Sequence, residues 1–234
     1  MKKAHLISAL ILIVLLPSTL YFGSRMDGQW YYLTCTLMVI ELMLPFFLSF
    51  EARKPQAREL VILAVMTALA AISRSAFAFL PHFKPVTAII MITGIAFGAE
   101  SGFLSGALAA FSSNFFFGQG PWTPWQMLSY GFGGFLAGMI FHRRHFLHIT
   151  FLRSLLLSAF GFLTVLVFVG PLLDLCTVFT MVTTLSKKMI LTVFAAGFSV
   201  NLLHAASCAV TLFFFAKPLL EKLNRLQVKY GMME

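Results

Sequence analysis

Charge is scarce in this sequence. Asp, Glu, Lys and Arg make up 11% of 234 residues, and only 8 of them are acidic. A soluble domain of this length needs a polar surface, yet 59% of the chain is hydrophobic; water is therefore excluded as its main solvent. Cysteine is equally sparse. Cys35, Cys176 and Cys208 form no CxxC pair, which excludes a disulfide or zinc framework and leaves packing thiols. No GxxxxGK[ST] phosphate loop and no HExxH helix occurs, so the chain does not bind ATP or zinc in those manners. Low-complexity segments are missing too.

Long apolar runs are what remain, as in Ile7–Leu16 and Leu155–Gly170. A membrane barrel would instead alternate in polarity over about ten residues. Runs of this kind satisfy their backbone within helices, so the fold class is an all-α, polytopic membrane protein. The reading gives eight spans, at 6–22, 30–50, 59–80, 86–99, 102–117, 124–141, 153–170 and 189–216. Gly94, Gly98, Gly102 and Gly106 recur every four residues through the fourth and fifth, which lets thin helices pack closely. Lys2 and Lys3 before Leu6–Leu16 imitate a secretory signal, but no convincing A-x-A site follows, and the segment reads as an anchor.

The charge distribution sets the orientation. Lys2, Lys3, Arg53, Lys54, Arg58, Arg143, Arg144, Arg153, Lys217, Lys222, Arg225 and Lys229 fall at one side; Arg25, Lys84, Lys187 and Lys188 fall at the other. The net charge of +9 is therefore a positive-inside bias and not a nucleic-acid surface. Both termini are expected in the cytoplasm of a cell (plasma) membrane protein of bacterial type. Three regions follow: a transmembrane hairpin and basic linker at 1–56, a six-helix domain at 57–216, and a tail at 217–234. In the tail Leu219, Leu220, Leu223 and Leu226 oppose Lys222, Arg225 and Lys229, an amphipathic pattern expected to rest on membrane lipid or on a partner.

Intramembrane charge is informative because it is costly. Counted from the cytoplasmic ends, Glu41 lies about 15 Å, His204 about 20 Å and Arg74 about 24 Å along its helix. Arg74 reads either as a contact to an anionic or carbonyl-bearing ligand or as a structural partner of Glu41 or of a helix end. Glu41 is expected to be protonated or paired with His204. His142, His145 and His148 sit among arginines and read as interfacial residues, with no metal site. Ser207 near His204 lacks the third group a catalytic pair requires.

The segment Asn114–Gln126 holds two Trp, two Pro, two Gly and three amides. Rings beside Asn114, Gln119 and Gln126 suit a flat organic ligand with polar edges; Trp122 and Trp125 equally fit an interfacial belt. Two further external segments are expected to close over such a site. Pro81–Pro85 is short. Pro171–Lys188, containing Asp174 and the hydroxyls of Thr177, Thr180, Thr183, Thr184 and Ser186, reads as a lid or a surface helix. On the third span Ala64, Thr67, Ala68 and Ala71 form a small-residue stripe suited to helix contacts in lipid.

Taken in this order, residues 57–216 resemble the S components of energy-coupling-factor (ECF) transporters. The likeness rests on the six-helix layout, Ala64-x-x-x-Ala68, the Gly94–Gly106 turn and the Asn114–Gln126 loop leading into Gly131–Gly138. It implies a six-helix S-component-like bundle preceded by an extra two-helix hairpin that departs from the family pattern. It also implies that Ala64, Ala68 and Ala71 dock on a T component carrying two ATPase subunits. Substrate would be held by Arg74, Phe79, His82, Asn114, Gln119, Trp122, Trp125, Gln126 and Asp174. The expected function is non-enzymatic capture of a vitamin, by the loop's likeness a cobalamin-type one, with ATP used only by the partner subunits and no covalently bound cofactor. An ion-coupled secondary carrier and an intramembrane enzyme are the alternatives.

Overall fold

A computed structural model describes residues 2–25, 30–142, 150–181 and 186–231 of the protein, and those residues contain helices and no strand. There are eight helical segments among them: α1 (residues 2–25), α2 (Tyr31–Ala52), α3 (Ala57–Ala76), α4 (Val86–Phe97), α5 (Ala99–Phe117), α6 (Thr123–Phe141), α7 (residues 151–181) and α8 (Lys187–Lys229). Five stretches are long and apolar enough to cross a membrane: Leu6–Gly23, Leu33–Ala52, Ala57–Ala76, Phe151–Thr180 and Lys187–Lys229.

The three central helices differ from the expected full spans. α4 has 12 residues and is about 18 Å long, short of the roughly 30 Å of hydrocarbon. It is wrapped by protein on all sides, with Val86–Ile95 wholly buried. α5 and α6 are long enough, but Gly, Ser and Asn dilute their apolar character because they face each other more than lipid. Glycine makes this contact possible. A Cβ on Gly94 would lie 2.2 Å from the Gly134 carbonyl oxygen, and one on Gly102 would lie 2.4 Å from the same atom. Gly98 does something else: at φ +98° it is the one-residue hinge between α4 and α5, a backbone state that suits glycine.

Two helices carry a π turn, Ile11–Leu15 in α1 and Val165–Val169 in α7. Each lies directly upstream of a proline, Pro17 and Pro171. A proline ring crowds the carbonyl four residues back and supplies no N–H. The widened turn accommodates both defects without a break.

That continuity replaces the expected lid or surface helix with an extension of α7. Residues Gly170–Met181 are helical and not an external loop. Their hydroxyls are satisfied inside the helix, with Thr177 Oγ1 donating to the Leu173 carbonyl at 3.3 Å and Thr180 Oγ1 to that of Cys176 at 2.6 Å. Cys176 is buried rather than exposed beyond the bundle. Thr183 and Thr184 lie outside the described residues, as do His145 and His148.

α8 has 43 residues, about 65 Å of helix, and so outruns any bilayer. The tail is its continuation. Leu220 and Leu223 are buried against the bundle, and Gln227 Nε2 donates to the Ala96 carbonyl at 2.8 Å. The apolar face expected to rest on membrane lipid or on a partner is therefore spent on the chain's own bundle, because α4 is short and leaves its end to be covered.

α1 packs on α2. α2 in turn lies against α5, α6 and the end of α7, with Phe46 stacked on Phe103 at a centroid distance of 4.1 Å. Glu41 points the other way. Thr19 Oγ1 of α1 donates to Glu41 Oε1 at 2.6 Å, so the expected partners, Arg74 and His204, do not pair with it.

Candidate functional site

The polar residues gather at the end of the bundle that carries the links 77–85 and 118–122. Arg74, in the last turn of α3, is only 5% exposed. Its Nη1 donates to Ser113 Oγ at 2.7 Å and Asn114 Oδ1 at 2.8 Å, both on α5. Its Nη2 reaches Gln126 Oε1 on α6 at 3.5 Å. The guanidinium also lies over the Phe117 ring at 4.7 Å and near that of Tyr130 at 5.8 Å. A buried cation is tolerable because amide and hydroxyl oxygens and two π faces surround it.

Lys84, from the link between α3 and α4, sits 5.2 Å from the opposite part of this arrangement, the Phe117 ring. Burial lowers its pKa from the ordinary lysine value, and the nearby Arg74 charge lowers it further. Two cations thus share one aromatic ring.

The α5–α6 link is tied to the same cluster. Asn114 Nδ2 donates to Thr123 Oγ1 at 3.1 Å, and Thr123 Oγ1 donates to Gln119 Oε1 at 2.9 Å. The Gly120 amide also reaches Thr123 Oγ1 at 3.2 Å. Gln119 Nε2 closes back on the Phe111 carbonyl at 3.0 Å. Below the cluster, Thr87 Oγ1 and His204 Nε2 share a 2.8 Å hydrogen bond, with the Tyr130 ring edge-on to the imidazole at 6.1 Å. Tyr130 therefore connects the mouth to a buried polar column.

Of the residues picked from sequence, Arg74, Asn114, Gln119 and Gln126 are joined in this network. The aromatics are arranged differently. Trp122 folds over Gly120 of its own loop, donates from Nε1 to the Gly118 carbonyl at 3.3 Å, and packs toward the α2–α5–α6 cluster. Trp125 is 6% exposed and stacks on Phe179 of α7 at 5.6 Å. One residue along a helix is a rotation of about 100°, so Trp125 and Gln126 leave α6 on different sides. Asp174 accepts from Asn201 Nδ2 of α8 at 2.7 Å, away from the Arg74 network. Phe79 is 76% exposed and stacks with Phe77. His82 is exposed with φ 60°.

Ser113, Phe117, Thr123, Tyr130 and Lys84 were missed. Ser113 and Thr123 had one available signal: a buried arginine must find oxygens, and these flank Asn114 and Gln126 in the same segment. Tyr130 had none, since it sits a full turn past the loop.

The opposite end has its own polar knot. Arg53 donates to the Phe97 carbonyl at 3.0 Å, to Glu59 Oε1 at 2.5 Å and to Ser101 Oγ at 2.7 Å. Arg53, Glu59 and Phe97, with His142 and Gln227, line a cavity of about 250 Å³. The small-residue stripe of α3 divides here. Ala64 and Ala68 are exposed among Val61, Val65, Leu69 and Ile72, whereas Ala71 is 5% exposed and faces inward. Seven residues fall about 20° short of two turns, and nearer the mouth α5 closes over that edge, so Ala71 cannot meet a partner. Thr67 turns in as well, donating to Ser105 Oγ at 3.1 Å.

The bundle is that of a multi-pass membrane protein, with a buried polar and cationic cluster at one end. A family model described as the S component of an ECF-type riboflavin transporter matches residues 54–221. The chain therefore belongs to the family of ECF transporter S components, substrate-specific membrane subunits of vitamin-type importers, which are not enzymes. No curated protein and no solved structure matches it.

Proposed function

We propose that this chain captures a flat heteroaromatic vitamin of the flavin class from outside the cell and releases it inward in company with a T component and two ATPase subunits. The family description, which names riboflavin, favours a flavin over the cobalamin-type cargo expected from the loop. The observation that carries the reading is the Arg74 cluster, where hydrogen-bond donors and acceptors from α3, α5 and α6 converge on aromatic faces. Such a set fixes the orientation of a planar, polar-edged ring.

Arg74, Asn114, Gln119 and Gln126 hold the ligand in this reading, with Trp122 capping the link above it. Phe79 and His82, exposed on the neighbouring link, move over the bound cargo. Trp125 and Asp174 support the surrounding helices. Ala64 and Ala68, lying in an exposed apolar face, form the docking surface for the T component. The charge bias supports an orientation with this face toward the cytoplasmic half, the Arg74 end outside and both termini inside. Residues 1–56 act as a separate hairpin, 57–216 as the binding domain and 217–234 as its cytoplasmic tail. ATP is consumed by the partners alone, and ligand binding shifts the subunit toward its docked state.

Equilibrium titration of the detergent-purified protein with riboflavin, read by quenching of flavin fluorescence, tests the cargo. Saturable one-to-one quenching that Gln126→Ala weakens supports the reading. Linear, non-saturating quenching would remove flavins from consideration.

A further inference from the structure

Arginine carries five N–H donors in a fixed fork. In Arg74 both Nη1 hydrogens are spent on Ser113 and Asn114. The other edge, Nε with Nη2, is nearly idle. Nε is buried without a hydrogen-bond partner, and Nη2 has only the 3.5 Å contact to Gln126. That edge presents two parallel donors, the geometry that grips two oxygens of one carboxylate or phosphate. No carboxylate among the described residues pairs with Arg74 or with Lys84, although both cations share the Phe117 ring. Phe117 and Tyr130 offset part of the charge, but on this edge Nε has no acceptor in the protein and Nη2 has only the long contact to Gln126. A neutral ligand would fill the edge and leave the two positive charges facing each other.

We infer that the cargo is anionic, a phosphate- or carboxylate-bearing form of the vitamin whose charged group sits on the Nε–Nη2 edge of Arg74 with Lys84 beside it. This rests on the flavin reading above and narrows it. Ser113 and Asn114 then act as positioning residues: by occupying Nη1 they fix the fork and leave the Nε–Nη2 edge to the ligand. Lys84 adds the second charge, made easier to hold once an anion replaces the repulsion from Arg74.

The test compares riboflavin with riboflavin 5′-phosphate by fluorescence titration on the full chain. The phosphate ester is expected to bind about tenfold tighter or more, as a charge-assisted bidentate pair would give. Arg74→Gln is expected to bring the two dissociation constants to within about twofold, and Arg74→Lys to keep part of the difference, since charge survives but the fork does not. Lys84→Gln, a residue that holds no helix in place, is expected to lower the preference about threefold by loss of one nearby charge, and serves if Arg74 variants fail to fold. Equal affinity of the wild-type protein for both ligands overturns the inference and leaves the flavin reading standing. Binding of neither overturns both. Repeating the titration in nanodiscs separates cargo from lipid. If the preference persists in zwitterionic lipid but vanishes in phosphatidylglycerol, a headgroup phosphate owns the edge and the inference fails.

Discussion

Arg74 does its structural work through its partners, so their removal is expected to show. Asn114→Ala leaves a buried guanidinium donor without its acceptor and should destabilise the protein by about 1–3 kcal/mol, measured by thermal unfolding in detergent. An unchanged melting temperature would mean that water replaces the amide. Lys84 gives a prediction with a defined sign. Its pKa is lowered in the folded chain, by burial first and Arg74 second, so the unfolded chain binds more protons between that lowered value and the ordinary lysine pKa. The penalty is complete below the folded pKa and is relieved as pH rises toward the ordinary value. Stability of the wild type relative to Lys84→Met is thus expected to climb through the alkaline range; a flat difference would show Lys84 to be solvated. Intramembrane charge made Arg74 legible from sequence, and the amides Asn114 and Gln126 were legible as its neighbours in kind. The direction of Trp125 was not. Its side is decided by a single helical step from Gln126 and by Phe179, more than fifty residues away in sequence.

At the scale of elements, glycine and proline explain most of what pattern reading achieved and what it missed. The Gly94–Gly106 spacing pointed correctly to close packing, and the structure adds the partner glycines Gly134 and Gly138 on α6. Gly134→Ala would put a methyl 2.3 Å from the Gly102 carbonyl oxygen. Backbone on both sides leaves little room to yield, so a loss of about 1–3 kcal/mol or failure to fold is expected, read by unfolding or by recovery of monodisperse protein. Normal stability would mean that α5 and α6 can separate. The stretch Pro171–Lys188 was read as a lid or a surface helix because it is long for a connection between spans. Here the π turn upstream absorbs the proline, and Thr177 and Thr180 return their hydroxyls to the preceding turn. The tail misled for a related reason: its amphipathic face was visible, but what it covers depends on the shortness of α4. Leu223→Ala should therefore cost about 2–5 kcal/mol as a buried site. A lipid-facing leucine would cost far less.

For the whole molecule, the exposed faces carry the expectation. Ala64 and Ala68 lie in a strip left exposed by the described residues, and Ala64→Trp is expected to leave vitamin binding intact while abolishing uptake. The hairpin of α1 and α2 stands outside residues 54–221 matched by the family and touches the bundle through α2. The fold class was open to view because hydropathy and charge are summed over many residues and tolerate local error. Assembly with other chains is not written in any one span. The most direct test reconstitutes this chain in proteoliposomes with and without a T component and its ATPases, and follows labelled riboflavin. The account predicts high-affinity binding by the chain alone and ATP-dependent accumulation only with the partners. Accumulation by the chain alone, driven by a proton or sodium gradient, would contradict it.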